Sequence, residues 1–324
     1  MKIVAFHQPF LNERGTSVAM FDYAYFNQTI LGNKSLIIYN HHDNRNESKA
    51  VSRFKDNFDV YSVDCMDCDM PTTNSKIDQI VEATNIKYIY MTKFGTNDGC
   101  VSSKAKTIIQ CIGMAGPEHA HGDVYSYGSF WLSRVCSNNK YPAVPYMAYL
   151  PEETGDLRWE LGIPKDAIVF GRHGGADTFD MPWGYEVIAE VLKHKENVYF
   201  VFLNTTKFID HPRVIFLETI VDNTLKIKFI NTCDAMLHLR FIGESFGLAC
   251  AEFSIKNKPV ITWFGSKERN HIEILGDKGI YYNNPQDLFN TLMSFSINNT
   301  KDWNAYREYS PEKIMKLFDE IYLK

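Results

Sequence analysis

The chain has 324 residues, of which 45% are hydrophobic and 23% charged, and its formal net charge is −5. This length exceeds the size at which one hydrophobic core usually stops growing, so we expect two domains. A general nucleic-acid binder would carry a basic stripe or a basic domain, and this balance of charge argues against a nucleic-acid partner. An anionic ligand would instead need a local cluster of positive groups.

The targeting and cysteine signals together favour the cytoplasm. The apolar start of the chain turns polar at His7 and Gln8, which is too short for a signal-peptide core. No apolar run approaches the length of a membrane span. The seven cysteines are scattered, which fits a reduced, cytosolic compartment. Cys65 and Cys68 lack the second ligand pair of a zinc site, so we interpret them as two ordinary thiols and predict no metal site.

The first half of the chain alternates short apolar runs with helical patterns. One helical pattern ends at Gly32, a residue typical of helix C-caps. The alternation predicts a doubly wound α/β domain with a largely parallel sheet. The predicted strands are Lys2–Phe6, Ser35–Tyr39, Ile86–Met91 and Thr107–Ile112, and the predicted helices are Ser17–Leu31 and Ser129–Cys136.

A second alternation of the same kind follows three prolines. Pro142, Pro145 and Pro151 predict an interdomain linker at about Tyr141–Pro151, so we place one domain at residues 1–145 and the next at 146–305. The predicted strands are Ala167–Arg172, Asn197–Leu203, Arg213–Phe216, Ala235–Leu239, Pro259–Thr262 and Gly279–Tyr281. The predicted helices are Pro182–His194, Asp222–Asn231, Phe246–Ile255, Pro285–Phe295 and Pro311–Leu323.

Two doubly wound domains in tandem leave a cleft between them. Ligands of open α/β sheets bind beyond the carboxyl ends of the strands, and domain interfaces are favoured positions for pockets. The loops that follow strands are therefore the first candidates for functional residues.

The segment Asp234–Thr262 carries the strongest pattern. A predicted strand is followed by a loop with Gly243 and Gly247 and then by a helix. We place Glu244 at the start of this helix and Glu252 eight residues later, so that both carboxylates project from roughly one side, about 12 Å apart along the axis. That separation suits two parts of one elongated ligand, and the free N–H groups at the helix start favour a phosphate. The alternative is that Glu244 caps the helix and Glu252 is solvated.

The run from Glu244 to Glu252, followed by Lys258-Pro259-Val260-Ile261, resembles the Glu-x7-Glu signature of family-4 retaining glycosyltransferases. The resemblance implies a GT-B fold, in which two Rossmann-like domains face a central cleft. It implies that Glu252 binds the ribose hydroxyls of a nucleotide-diphosphate sugar and that Glu244 lies near the donor sugar and its pyrophosphate. No separate cofactor is implied. The other donor-binding residues of the run would be Gly243, Ser245, Phe246, Gly247 and Leu248.

The resemblance extends to three other parts of the chain. Leu157–Pro164 is similar to the helix that follows the linker in this family. Ile168–Arg172 is similar to the strand that opens the donor domain, which implies that Arg172 contacts the pyrophosphate. A fixed cation there would stabilise the leaving nucleotide, whereas the alternative is an ordinary surface ion pair. Residues 306–324 would form a helix that returns to the N-terminal domain.

The N-terminal half offers further candidates. Gly15 lies in a loop where the family has a glycine that faces the cleft. Val124–Leu132 resembles the family's strand followed by a helix that starts at a serine, here Ser129. His119 and His121 precede it, where many members place a histidine near the reacting sugar, so both are catalytic candidates. The alternative is a loop histidine with no catalytic part, and a metal role lacks a third ligand.

Two departures from the family pattern concern charge. No lysine follows Arg172 in the segment 173–180, and Asn204-Thr205-Thr206 replaces a glycine-containing turn; Arg240 is positioned to supply the missing charge. The sequence thus predicts a metal-independent, retaining glycosyltransferase of carbohydrate biosynthesis that uses a nucleotide sugar and an unidentified acceptor. The alternatives are a sugar-nucleotide epimerase and a non-catalytic nucleotide-sugar-binding protein.

Overall fold

A computed structural model describes residues 1–218, 222–298 and 300–324. The chain divides into two compact units. Unit 1 comprises Met1–Met147 and Tyr309–Lys324, and unit 2 comprises Ala148–Glu308. Each unit contains a six-stranded parallel sheet with helices between its strands. The predicted fold class, α/β with two doubly wound domains, is therefore confirmed.

Unit 1 is built on largely apolar strands that are mostly buried, as a parallel sheet requires, except for the exposed edge strand at Asp59–Ser62. Its strands are β1 (Ile3–His7), β2 (Lys34–Tyr39), β3 (Asp59–Ser62), β4 (Tyr88–Lys93), β5 (Lys106–Cys111) and β6 (Val124–Tyr127). Its helices are α1 (Gly15–Thr29), α2 (Ser48–Asn57), α3 (Met70–Thr84) and α4 (Phe130–Ser137), joined by the C-terminal helix at Pro311–Tyr322.

The sheet of unit 1 has the strand order β3-β2-β1-β4-β5-β6, which is the order of dinucleotide-binding Rossmann folds. The direction of winding reverses between β1 and β4. The C-terminal helix belongs to this unit, where Phe318 stacks on Phe6 at 6.0 Å between ring centroids. The hydroxyl of Tyr322 on the same helix lies 2.5 Å from that of Ser126.

Unit 2 repeats this architecture. Its strands are β7 (Ile168–His173), β8 (Val198–Leu203), β9 (Val214–Leu217), β10 (Ala235–His238), β11 (Gly243–Glu244), β12 (Val260–Trp263), β13 (Glu268–Arg269) and β14 (Gly279–Tyr282). Its helices are α5 (Pro182–His194), α6 (Asn223–Thr232), α7 (Leu248–Ile255), α8 (Asn270–Leu275) and α9 (Pro285–Ser294), which makes the C-terminal helix α10. The main sheet has the order β14-β12-β10-β7-β8-β9, so its winding reverses between β7 and β10.

Some local predictions were wrong. The segment Leu157–Pro164 forms turns rather than a helix, because Gly162 takes a φ of 65° and Pro164 follows two residues later. Helix α7 begins at Leu248, two residues later than expected, since Gly247 before it has a φ of 88°. The amphipathic helices α2 and α3 were not predicted.

Cys65 and Cys68 are joined as a disulfide, whereas the sequence analysis interpreted them as two thiols. The turn between them explains the pairing. Asp67 takes the left-handed conformation, with a φ of 55°, and the two Cα atoms come within 5.5 Å of each other, a separation that a disulfide spans. Across the described parts of the chain, no helix has both the length and the apolar character needed to cross a membrane.

Candidate functional site

The reversal point of the unit 2 sheet gathers ionisable side chains. Strands β7 and β10 are neighbours there, and ligands of such sheets bind where the winding reverses. Arg172 and His173 end β7, His238 ends β10, and Arg240 follows two residues later. Strand geometry alone therefore brings four cationic or titratable groups to one edge.

Glu244 lies in the short strand β11 and not at the start of α7, so the expectation that it shares a helix face with Glu252 was wrong. β11 pairs with β13 through Gly243 and Glu268. Gly243 has a φ of 84°, and a Cβ atom there would lie 2.1 Å from the carbonyl oxygen of Glu268. Only glycine fits that close approach, so Gly243 determines where the carboxylate of Glu244 is placed.

The carboxylate of Glu244 is held by two donors. Arg240 donates to Oε1 at 2.6 Å, and Nε2 of His238 lies 3.3 Å from the same oxygen. Burial acts to raise the pKa of Glu244, but the bond from His238 and the charge of Arg240 outweigh it and hold the pKa at about 2. Glu244 is therefore ionised at neutral pH and cannot act as a general acid.

Behind Glu244 runs a buried chain of hydrogen-bonding groups. Nδ1 of His238 lies 2.8 Å from the hydroxyl of Thr262, which lies 3.1 Å from Nε2 of His271. Burial, the largest cause, lowers the pKa of His271 to about 3, so this ring is neutral. The three contacts form one directed chain if His271 donates to Thr262, Thr262 donates to His238, and His238 donates to Glu244; Nδ1 of His271 has no partner among the described residues. The chain fixes the orientation of the His238 ring and, through it, of Glu244.

Glu252 projects from α7 and is 7% exposed. Lys226 on α6 donates to its Oε1 at 2.5 Å, and Nε2 of His173 lies 2.9 Å from Oε2. Burial raises the pKa of Glu252, yet Lys226 and His173 together hold it at about 2. Glu252 is thus a buried, ionised carboxylate and not a solvated helix residue.

Arg172 is 3% exposed and forms hydrogen bonds with two loops. It donates to the carbonyl oxygen of Asn204 at 3.2 Å and to the hydroxyl of Thr205 at 2.6 Å. It also donates to the carbonyl oxygen of Gly175 at 2.8 Å and to the hydroxyl of Thr178. These partners are all neutral, and none of the described carboxylates lies within ion-pairing distance of Arg172. Burial lowers the pKa of Arg172 to about 10, while the charge of Glu244 acts in the opposite direction, so the guanidinium is a buried cation that carboxylates influence only from a distance.

The remaining residues of the predicted donor loop have different surroundings. The ring of Phe246 is buried and packs against Tyr306 at 5.6 Å between centroids. The hydroxyl of Tyr306 donates to the carbonyl oxygen of Phe246 at 3.0 Å. Ser245 and Leu248 are half-buried, and Gly247 precedes the first turn of α7. Phe246 is therefore a core residue, and a ligand contact would fall to the backbone and to Ser245.

In unit 1, the predicted residues do not all come together. Gly15 is the first residue of α1, and His119 ends a 3₁₀ turn at the surface. The side chain of His121 is 6% exposed, and its Nε2 lies 3.9 Å from Oδ1 of Asp98. Its Nδ1 lies 2.8 Å from the carbonyl oxygen of His119. Of the two histidines, His121 is the one whose ring is buried and belongs to a polar cluster.

That cluster lies at the reversal point of the unit 1 sheet. His7 ends β1 and Lys93 ends β4, and Lys93 contacts Asp98 at 2.7 Å. Burial and the charge of Lys93 lower the pKa of His7 to about 3. Among the described residues, neither Nδ1 of His7 nor Nε2 of His121 has a hydrogen-bond partner. Two buried ring nitrogens thus retain unused hydrogen-bonding capacity.

Sequence reasoning missed Lys226, His173, His238 and the cluster around Lys93. His173, His238 and Lys93 are all the last residue of a parallel strand, and that position was the available signal. Lys226 lies in the interior of a helix and belongs to no motif, so its partnership with Glu252 arises only in three dimensions.

No family model matches this sequence, and no curated protein matches it. Solved structures do match, and those with the same fold over the whole chain include glycosyltransferases. HepE of Anabaena, in complex with UDP and glucose, superposes with a TM-score of 0.71 at 14% identity over 98% of this chain and 98% of its own. A glycosyltransferase from Rickettsia africae gives a TM-score of 0.69 at 13% identity over 99% and 97%.

A putative UDP-N-acetylglucosamine 2-epimerase from Listeria monocytogenes is similar as well, with a TM-score of 0.62 at 12% identity over 99% of this chain and 96% of its own. At these identities the likeness shows the fold: this chain has the two-domain Rossmann-like fold of those proteins.

Proposed function

We propose that this protein is a glycosyltransferase that moves a sugar from a nucleoside diphosphate sugar to an acceptor hydroxyl. One observation carries the proposal. An ionised glutamate that is buried (Glu252), an ionised glutamate that is half-buried (Glu244) and the buried cation of Arg172 lie around the reversal point of the unit 2 sheet, at the edge where such sheets bind nucleotides. Burying such charges is costly in the absence of a ligand that uses them.

The donor would be held along this edge. The carboxylate of Glu252 accepts hydrogen bonds from the ribose hydroxyls, and Lys226 keeps it ionised and oriented. Arg240 and the N–H groups at the start of α7 contact the diphosphate. Because Nη1 and Nη2 of Arg172 already donate hydrogen bonds to two loops, this residue acts through its charge and by holding those loops in place. Arg240, 28% exposed at its side chain, makes the direct contact.

Uridine is the base to test first. The fold of this chain is shared with HepE, which was solved with UDP-glucose, and this likeness supports a UDP-sugar as donor. The proposed role in carbohydrate biosynthesis follows from such a donor.

In the proposed reaction the bond between the anomeric carbon and the diphosphate oxygen breaks, and its electron pair stays on the diphosphate. The acceptor oxygen forms the new bond to the anomeric carbon, and its proton passes to the departing diphosphate oxygen. Arg172 and Arg240 stabilise the charge that develops on the leaving diphosphate, which makes a metal ion unnecessary. Ionised Glu244 faces the donor sugar and stabilises its positive charge. Retention of configuration is part of this proposal.

Within unit 1, the polar cluster of His7, Lys93, Asp98 and His121 is the candidate for binding hydroxyl groups of an acceptor. His7, which is neutral, and His121 each keep a ring nitrogen without a partner among the described residues for an acceptor hydroxyl, and the pair formed by Lys93 and Asp98 supplies a donor and an acceptor. This arrangement suits a molecule rich in hydroxyl groups, such as a glycan.

The test measures release of nucleoside diphosphate from UDP-, GDP-, ADP- and CDP-sugars, with and without a panel of glycan acceptors. We expect one base to be preferred and release to rise when an acceptor is present. Absence of release from every donor, despite tight binding of one, would instead support a non-catalytic binding protein.

A sugar-nucleotide epimerase is the second candidate, since the fold is shared with a putative UDP-N-acetylglucosamine 2-epimerase. The two activities differ in whether they need an acceptor. An epimerase converts the nucleotide sugar without any acceptor, so conversion of the sugar with the diphosphate linkage intact would favour this function over transfer.

A further inference from the structure

A separate cluster of metal-binding side chains lies at another part of the unit 1 sheet. Strands β2 and β3 are neighbours, with Tyr39 opposite Ser62. His41 and His42 follow the end of β2, and Asp64 follows the end of β3. Parallel pairing thus brings two imidazoles and a carboxylate to the same edge of the sheet. Neither the donor site nor the polar cluster at Lys93 uses these residues.

The ligand atoms converge on one point. Nε2 of His42 lies 2.6 Å from Oδ1 of Asp64, and Nε2 of His41 lies 4.0 Å from the same oxygen. The centroids of the two rings are 3.7 Å apart, with an angle of 40° between the ring planes. One ligand atom from each residue can be chosen so that all lie within 4.8 Å of one another. Small side-chain rotations would bring them to the distances of a shared ion, about 2.0–2.2 Å for Zn²⁺ with nitrogen and oxygen ligands.

Neighbouring groups orient the first of these rings. The hydroxyl of Ser62 lies 2.5 Å from Nδ1 of His41, which leaves Nε2 as the nitrogen that faces Asp64. Metal-binding histidines usually engage their second nitrogen in this way. The backbone around Asp64 is also held, because Lys76 donates to its carbonyl oxygen and Asn40 donates to that of Cys65 at 2.6 Å.

We propose that His41, His42 and Asp64 bind one divalent cation of the borderline class, of which Zn²⁺ is the representative. Two imidazoles select against Mg²⁺ and Ca²⁺, which prefer oxygen ligands. Three protein ligands leave at least one coordination position for water or for another molecule. The side chains are 43%, 28% and 78% exposed, so an ion reaches them directly from solvent.

Two other sources of zinc binding have to be separated from this site. Cys65 and Cys68 lie close to Asp64 in sequence, but as a disulfide they offer no thiolate ligands. A single surface histidine beside a carboxylate also binds zinc weakly, and His194 next to Glu190, 3.4 Å apart, provides a matched control in unit 2.

The experiment uses untagged, chelator-treated full-length protein, titrated with ZnCl₂ by calorimetry and with Co²⁺ by visible absorption. We expect one equivalent to bind. H42A and D64A should each weaken binding by about tenfold or more, as loss of a ligand exceeds the loss of an outer-shell partner. H194A and the double variant C65S/C68S should bind like the parent protein.

The variants distinguish the proposed site from the other sources of zinc binding. Circular dichroism of the metal-free variants establishes that they are folded. Absence of stoichiometric binding to the parent protein, or loss of binding in C65S/C68S with retention in H42A and D64A, would overturn the proposal. Because no sugar nucleotide is present, this result is independent of whether the protein transfers sugars.

Discussion

Replacing Glu252 with glutamine tests the donor site through both stability and binding. The pKa of this carboxyl falls from 4.5 to about 2 on folding, and each unit corresponds to about 1.4 kcal/mol. The ionised form therefore contributes about 3 kcal/mol to stability at neutral pH. Because the folded-state pKa is the lower one, this contribution is complete above about pH 4.5 and disappears as the pH falls towards 2.

E252Q removes the charge and leaves Lys226, 14% exposed at its side chain, without its anionic partner. We expect the free energy of unfolding at pH 7 to fall by about 3 kcal/mol. Donor affinity should fall by about tenfold to a hundredfold, since charge-assisted hydrogen bonds contribute roughly 1.5–3 kcal/mol each. Four of the five tryptophans belong to unit 2, so urea unfolding followed by tryptophan fluorescence reports mainly on that unit.

The double variant E252Q/K226M separates the two effects. Removing both charges should restore much of the lost stability, whereas donor affinity should remain low because the ribose partner is still absent. The reasoning would be refuted if E252Q matched the parent protein in both unfolding and donor affinity, or if K226M restored the affinity.

The other predictions concern Arg172, the surroundings of Glu244 and the dependence on metal ions. R172A should lower both turnover and donor affinity. R172K should recover only part of each, since an ammonium cannot bridge two loops. Steady-state kinetics of the two variants would test this, and parent-like turnover and donor affinity in either variant would contradict it. H238F should raise the pKa of Glu244 and lower kcat more than it changes donor KM. The higher pKa would move the acid limb of the pH–activity profile to higher pH. An unchanged profile would exclude a role of His238 in positioning Glu244. G243A should destabilise the protein by about 1–3 kcal/mol, because a Cβ would meet Glu268, and a parent-like melting temperature would show that the loop adapts. Turnover should survive EDTA, since Arg172 and Arg240 supply the charge at the diphosphate, and restoration of a lost activity by a divalent cation would contradict this.

The sequence predicted the fold class because its buried strands are continuous apolar runs, as in Val198–Leu203. Prediction from the sequence failed where tertiary contacts or the local backbone conformation determine the secondary structure. Gly162 and Pro164 turned an apparent helix into turns, and the amphipathic helices α2 and α3 lay in segments too polar to stand out.

In the candidate site, too, some residues could be predicted from the sequence and others could not. The loop from Gly243 to Leu248 was recognisable because its residues are contiguous, and Arg172 and Glu252 were singled out from their motifs. Their partners were not: Lys226 reaches Glu252 from another helix, and Thr262 and His271 support His238 from separate elements. Such pairings depend on packing, which sequence spacing does not encode.

Calorimetric titration of the whole protein with UDP, GDP, ADP and CDP tests the central claim most directly. The account predicts that one of these diphosphates binds with a stoichiometry of one and that E252Q and R240A each weaken it. Parent-like binding in both variants, or no binding of any of the four, would contradict a nucleoside diphosphate site at this edge of the unit 2 sheet.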